Sequence, residues 1–309
     1  ETGLGQQLVD ETYAKISGKP YKGTRGYADY HQLLADKDID GVLISTPDHQ
    51  HAILAVHAVQ AGKHVYLQTP ASITIAEGRT MADAVAKSGK ILQIGSQQRS
   101  LDPWPQFHRT CELVRNGRIG ALRHVEIGLP GDPSGPDAPA MPIPANLNYD
   151  AWLGSTPEVY YTEIRVHPQG SFDRPGWLRL EQFGAGMITG WGAHHVDIAH
   201  WGMDMEHSGP VEVWGRAEFP KSGLWDVHGP FETHARYANG VTMTISGALP
   251  NGIKFIGSEG SIFVTRSGPV TSSDPSGPKV APLVASNPKI LDSVIGPNEV
   301  HLYRSPEQH

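Results

Sequence analysis

The sequence predicts an α/β protein in two parts: a lobe with a parallel sheet, then an α+β lobe built on a large, mostly antiparallel open sheet. Three observations carry this. Up to about residue 100 the chain alternates helical segments with short apolar, β-branched runs, the pattern of strands joined by crossover helices. The alternation stops at "LDPWPQF". Later β-type runs gather between turn residues. The domain division is therefore placed at 1–101 and 102–309.

In order, "LGQQLVDETYAKISGK" and "GYADYHQLLADKDID" read as helices and "GVLIST" as a strand. "HQHAILAVHAVQAGK" reads as a helix stopped by Gly62, and "HVYL" as a second strand. Thr74 and Glu77 form a capping-box signature for the helix "TIAEGRTMADAVAKSGK", which ends near Gly89. "ILQIG" is the third strand. A helix then runs to about Asn116, with Phe107, Cys111 and Val114 on one face. Cys111 is the only cysteine, so an intramolecular disulfide and a cysteine zinc cluster are both excluded; it reads as a buried structural thiol. Residues 130–150 are proline-rich and read as an extended surface loop. "GWGAHHVDIAHWGM" reads as a helix. Segments 121–129, 211–219, 232–238, 242–247 and 261–266 are expected to share one sheet, with Asn-Gly in "YANGVT" turning a hairpin. The open face of that sheet is expected to be apolar enough for self-association. The tail from Ser267 reads as an arm rich in Pro, Gly and Ser.

The 309 residues suffice for one large or two ordinary cores, and 39% hydrophobic with 18% charged residues suits a soluble globular chain. A net charge of −7 argues against nucleic acid or an anionic membrane as partner. No window nears the length of a membrane span, and no basic-then-apolar leader is present.

Strand carboxyl ends are where open α/β sheets hold ligands. "VLISTPDHQHA" sets Thr46, Pro47, Asp48, His49 and His51 after one such strand, and Gln68-Thr69-Pro70 end the next. A polar turn with His51 near a helix start is the plain alternative. In the later helix, His194, Asp197, Ile198 and Trp201 share a face, while His195 and Ala199 point elsewhere. A His and an Asp one turn apart suit acid–base work or a metal, or simply satisfy each other. "RVHP" adds Arg165 and His167 as possible ligands for a polar substrate. Despite sixteen histidines, no His-Glu-x-x-His pattern or dense carboxylate–histidine cluster occurs, so no metal site is assigned. No glycine-rich phosphate loop is found either: Gly3-Leu4-Gly5 is followed by Leu8 where a dinucleotide fingerprint needs glycine.

These blocks resemble the Gfo/Idh/MocA family, the glucose–fructose oxidoreductase, inositol dehydrogenase and rhizopine-catabolism group. The likeness runs through "DIDGVLISTPDHQHAILAVHAVQAGKHVYLQTPASITIAEGR…ILQIGSQQRS", "ELVRNGRIGALRHVEIGLPG", "YDAWLGSTP" and "GWGAHHVDIAHWGM". It implies a partial Rossmann-type lobe for NAD or NADP, a second lobe that often forms the oligomer interface, and hydride transfer with a sugar, cyclitol or related polyol. Together with the residue readings above, the candidates for the cofactor are Thr46, Pro47, Asp48, His51, Gln68, Pro70 and Gln97. Those for the substrate are Arg99, Arg165, His167 and His195, and those for catalysis are His194, Thr69 and Asp197.

Three departures qualify it. Gln68-Thr69-Pro70 stands where the family usually has Glu-Lys-Pro, whose lysine assists proton transfer; Thr69 offers only a hydroxyl to orient a substrate oxygen. Gly190 stands where an aspartate usually supports the histidine. The chain lacks the family's opening strand and Gly-rich turn and stops early, and so reads as a fragment of a longer protein or a degraded copy. NAD or NADP binding by this chain alone is expected to be weak, since the pyrophosphate normally rests on that turn. Competing readings are a catalytically altered relative that retains a carbohydrate-binding cleft, an NAD-assisted glycosidase, and a metal-dependent hydrolase or lyase using His167, His194 and Asp197. The expected partner is a small sugar or polyol, with homo-oligomerisation through the open sheet. The compartment is left open between cytoplasm and periplasm.

Overall fold

A computed structural model describes residues 2–166, 175–266 and 281–306. The chain opens with helix α1 (Thr2–Ser17), whose Leu4, Leu8 and Ile16 stay exposed. Helix α2 (Tyr30–Ala35) is shorter than the sequence suggests. The Asp29 side chain accepts from His31 N at its start, and the backbone turns extended at Asp36. Strand β1 (Gly41–Ile44), helix α3 (His51–Gln60), strand β2 (His64–Leu67), helix α4 (Ile75–Ser88) and strand β3 (Leu92–Ile94) follow the expected alternation. The three strands pair in parallel in the order β1-β2-β3. Ala55 and Ala58 of α3 are fully buried; their small side chains let the helix sit close to β2 and α4. The α4 capping box forms as expected, and Gly89 closes the helix at φ 66, a conformation that costs glycine little.

The outer edge of β1 has no partner strand among the described residues. Leu43 on it is 70% exposed, and beside it lies an apolar trough of about 530 Å³ lined by Tyr30, Leu33, Val42 and Leu54.

The second lobe contains helix α5 (Pro105–Arg115), strand β4 (Leu122–Gly128), helix α6 (Tyr149–Leu153) and helix α7 (Met187–Met203). Strands β5 (Glu212–Ala217), β6 (Phe231–Arg236), β7 (Thr242–Ser246), β8 (Gly252–Gly257), β9 (Ser261–Val264) and β10 (Leu283–Ala285) complete it. They form one seven-stranded sheet, β10-β9-β8-β4-β7-β6-β5. Only β4–β7 is parallel among its pairs, so the expectation of a largely antiparallel sheet is met. Strands β8 and β10 were not anticipated. The main core lies between one sheet face and the α5–α7 pair: Val125, Ile127, Met243 and Phe255 meet Phe107, Cys111, Leu113 and Ile198. Gly202 of α7 faces the Phe255 ring, where a Cβ would stand 2.7 Å away. Cys111 is wholly buried, and burial pushes its thiol far above the usual range, so it stays an unreactive thiol.

The opposite sheet face corrects one expectation: it is polar rather than apolar. Trp214, His234, Thr244, Glu126, Lys254 and Phe263 form a row of cross-strand neighbours. Trp214 stacks on His234, His234 bonds Thr244 at 3.2 Å, and Lys254 pairs with Glu126 at 3.5 Å. Alternation accounts for this, since Val125 and Ile127 take the core side and leave His124 and Glu126 outside. Among the described residues no helix is long and apolar enough to cross a membrane.

Candidate functional site

The carboxyl ends of the three parallel strands hold one hydrogen-bonded cluster. Gln68 continues β2 by donating its N–H to Ile44 O at 2.9 Å. Its side-chain oxygen accepts from Thr69 N at 2.9 Å and from Gln97 Nε2 at 3.1 Å. Gln68 is thus the hub that fixes the Thr69 loop against the end of β3. Thr46 Oγ1 is buried at the end of β1 without a hydrogen-bond partner among the described residues. Pro47 leads into a 3-10 turn at Asp48–Gln50, in which Asp48 and His49 are buried.

His51 does not face a ligand, which corrects its assignment to the cofactor. It is wholly buried, and its ring nitrogens lie 2.6 Å from Pro70 O and 2.8 Å from Thr46 O. The ring is a strut between the two strand-end loops, and burial holds its pKa below the usual histidine value. His49, unassigned from sequence, ties this edge to the second lobe: its N–H donates to Phe183 O, and its Nε2 lies 2.8 Å from Trp152 O.

The 3-10 turn Gln97–Arg99 joins the lobes through consecutive side chains. Gln97 binds Gln68 as above. Gln98, almost fully buried, donates from Nε2 to His194 O at 3.2 Å and lies 3.3 Å from His195 Nδ1. Arg99 forks onto Asp197 of α7, Nε to Oδ2 at 2.8 Å and Nη2 to Oδ1 at 2.6 Å, and its Nη1 reaches Glu206 at 2.6 Å. These carboxylates hold the Arg99 guanidinium far above its ordinary pKa, against the desolvation that acts the other way. Two assignments change as a result. Arg99 is spent on Asp197 and Glu206 rather than facing a substrate, and Asp197 spends both oxygens on Arg99 rather than supporting His194.

His195 is corrected as well. It has no exposure, its Nε2 lies 3.0 Å from Asn251 Oδ1, and that oxygen also accepts from Trp191 Nε1 at 3.0 Å. With Gln98 donating to Nδ1, the ring is the neutral Nε2–H tautomer held within the protein. Burial, offset only in part by Asn251, pushes its pKa down to about 4. His194 is half-buried, packs edge-on to Trp191, and has a buried Nδ1 with no hydrogen-bond partner among the described residues. Desolvation first, then the nearby Arg266 charge, lowers its pKa to about 3. Arg266 is gripped between the Trp104 and Trp191 rings, at 4.2 and 4.4 Å, and donates from Nε to Gln98 Oε1 at 2.7 Å. Gly190, one turn before His194, is open: a Cβ there would meet nothing within 4 Å. Gln98, Asn251 and Arg266 went unassigned from sequence; only Gln98, beside Gln97 in "GSQQRS", carried any positional hint.

Arg165 lies in a separate cavity of the second lobe, and His167 is outside the described residues. Among the described residues, no group of three or more His, Cys, Asp or Glu side chains converges as a metal would require.

At the strand ends Thr46 Oγ1 is left without a partner among the described residues, while the Gln68 and Gln97 amides bond each other. Among the described residues nothing forms a strand–glycine–helix cradle for pyrophosphate: Gly3 and Gly5 lie inside α1.

Residues 14–96 match the profile described as "Oxidoreductase family, NAD-binding Rossmann fold", GFO_IDH_MocA, and residues 135–274 match its companion, "Oxidoreductase family, C-terminal alpha/beta domain". Together the two cover most of the chain. The chain is 34% identical over 97 residues to inositol 2-dehydrogenase of Salmonella paratyphi B, covering 31% of this chain and 28% of that protein. It is 36% identical over 100 residues to the oxidoreductase YrbE of Bacillus subtilis, covering 32% and 28%. The matched region thus spans under a third of the length of these relatives. An NAD-binding protein from Listeria innocua superposes with a TM-score of 0.54 at 24% identity, over 82% of this chain and 60% of that one. At that identity the likeness bears on fold alone.

Proposed function

The chain belongs to the Gfo/Idh/MocA oxidoreductase family, whose first domain is an NAD-binding Rossmann fold, and from that premise we propose that it serves NAD(P)-dependent hydride transfer with a sugar, cyclitol or related polyol. The observation that carries this reading is the Gln97–Arg99 turn, whose adjacent side chains bind the Gln68–Thr69 cluster and the His194 helix at once. A bound nicotinamide would supply the hydride acceptor or donor, held by Thr46, Gln68 and Gln97. His194, neutral at physiological pH, receives the substrate hydroxyl proton at Nε2, its Nδ1 being buried. Thr69 Oγ1 orients a substrate oxygen but exchanges no proton. Asp197 acts through Arg99 by fixing the turn.

A second reading, a catalytically altered relative that keeps a carbohydrate cleft, is favoured by Thr69 and Gly190 at the two positions named above. Calorimetry and the absorbance of reduced nicotinamide separate the two. The chain is expected to bind NAD more weakly than micromolar, because its described residues form no glycine cradle for pyrophosphate; a micromolar Kd would overturn that argument. With cofactor in excess, turnover of myo-inositol or an aldose that disappears in His194→Ala supports hydride transfer. Sugar binding without turnover supports the altered relative.

A further inference from the structure

Arg165 is only 5% exposed, yet its guanidinium has no carboxylate or hydrogen-bond partner among the described residues. Its Nε is buried and unsatisfied, and its guanidinium carbon lies 4.8 Å from the Tyr160 ring centroid. A nearly buried cation without a counter-charge is costly unless something completes it. Arg165 lines a cavity of about 600 Å³, together with Asp137, Tyr160, Leu180, Gln182 and Asp226. The other polar walls are already fixed. Tyr160 Oη donates to Ala138 O at 2.9 Å, Gln182 Nε2 donates to Pro157 O at 2.7 Å, and Asp226 Oδ1 accepts from Glu181 N at 2.8 Å. Among the described residues Arg165 is the one nearly buried charge in the lining without a partner; the exposed Asp137 and the second oxygen of Asp226 remain open as acceptors.

We infer that this cavity is a binding site for a sugar acid, with the ligand carboxylate on Arg165 and its hydroxyls directed to Asp226 and Asp137. The planar fork of a guanidinium matches a carboxylate, and the Tyr160 ring holds that plane in place. One cation facing two carboxylates favours a ligand with a single negative charge and hydroxyl donors over a phosphate dianion. The inference goes beyond the polyol reading, since the cavity is separate from the strand-end cluster, and rests on it for the sugar part of the ligand alone.

The test is calorimetry of the full chain with glucuronate, glucose and inorganic phosphate. Glucuronate is expected to bind about 10- to 100-fold more tightly than glucose, the range of a charge-assisted pair. Arg165→Gln should bring the two sugars to similar affinity, and Arg165→Lys should fall between, each with its fold checked by circular dichroism. The wild-type ratio stands as evidence even if a variant fails to fold. Equal affinity of wild type for the two sugars, phosphate binding as tightly as glucuronate, or an unchanged ratio in a folded Arg165→Gln protein would each overturn the site. Failure of the redox reading is distinct: it is absence of nicotinamide reduction with every polyol, and it leaves the glucuronate-to-glucose ratio untouched.

Discussion

Replacing Thr69 by lysine and Gly190 by aspartate together is expected to raise polyol oxidation by about 10²–10⁴-fold, the usual worth of a positioned acid–base group. Thr69 sits beside the Gln68 hub at the end of β2, where an amine would join a cluster that already meets the His194 helix through Gln97 and Gln98. Position 190 lies one turn before His194 on the same helical face, so a carboxylate there would reach the imidazole. It would also oppose Arg266, whose charge helps to depress the His194 pKa. Folding should tolerate the change. The site is sterically open, it lies in the first turn of α7 where a carboxylate is favoured, and it removes a helical glycine. The measurement is the rate of nicotinamide reduction at saturating cofactor for the double and both single variants. No gain in the double variant, with cofactor binding demonstrated, would show that the family's mechanism does not transfer to this chain.

Acid should destabilise the protein well before its carboxylates protonate. His195 is held neutral in the fold with a pKa of about 4, and His194 with one of about 3, against an ordinary value of 6.5. His49 and His51 are shifted in the same direction by burial. In each case the unfolded chain takes up a proton that the fold refuses. Stability is therefore full above pH 6.5 and falls as pH drops from 6.5 towards 4, by about 1.4 kcal/mol per pH unit for each proton. The loss should reach the order of several kcal/mol, with the wholly buried His195 the surest contributor. The groups facing it are Gln98, Asn251 and the Arg266 cation; Asn251 favours the charged ring, but burial and Arg266 act against it and outweigh that bond. A series of melting temperatures from neutral to mildly acidic pH checks this. His195→Gln keeps a donor for Asn251 and an acceptor for Gln98, and so should flatten the slope at little cost near neutrality. A melting temperature constant across that range would contradict the argument.

The fold was legible wherever local signals act alone. The Thr74–Glu77 box, Gly89 and the runs at β1 and β2 each declare themselves within a few residues. Strand β8 did not, because "GIKFIG" is short, bounded by glycines and carries Lys254 on its outer face. The polar sheet face was readable from the alternation His124, Val125, Glu126, Ile127, but the expectation of an apolar interface overrode that pattern. The site was legible by position and less so by role. Sequence put Gln68 and Thr69 at a strand end and His194 on a helix, and the structure has them there. Whether a histidine works or braces depends on partners far along the chain: Pro70 O for His51, Asn251 for His195. No periodicity carries that information. The Arg99–Asp197 pairing likewise joins residues 98 positions apart.

The Gln97–Arg99 turn also bears on how the molecule moves. A hinge between the lobes would have to break the Gln98 and Arg99 contacts together, including a forked ion pair and the Arg266–Gln98 bond. Such a latch makes domain opening a slow, costly event relative to side-chain rotation. Ligand exchange would then proceed by local breathing at the rim of the cleft, with hydrogen exchange of the α7 amides among the slowest in the protein.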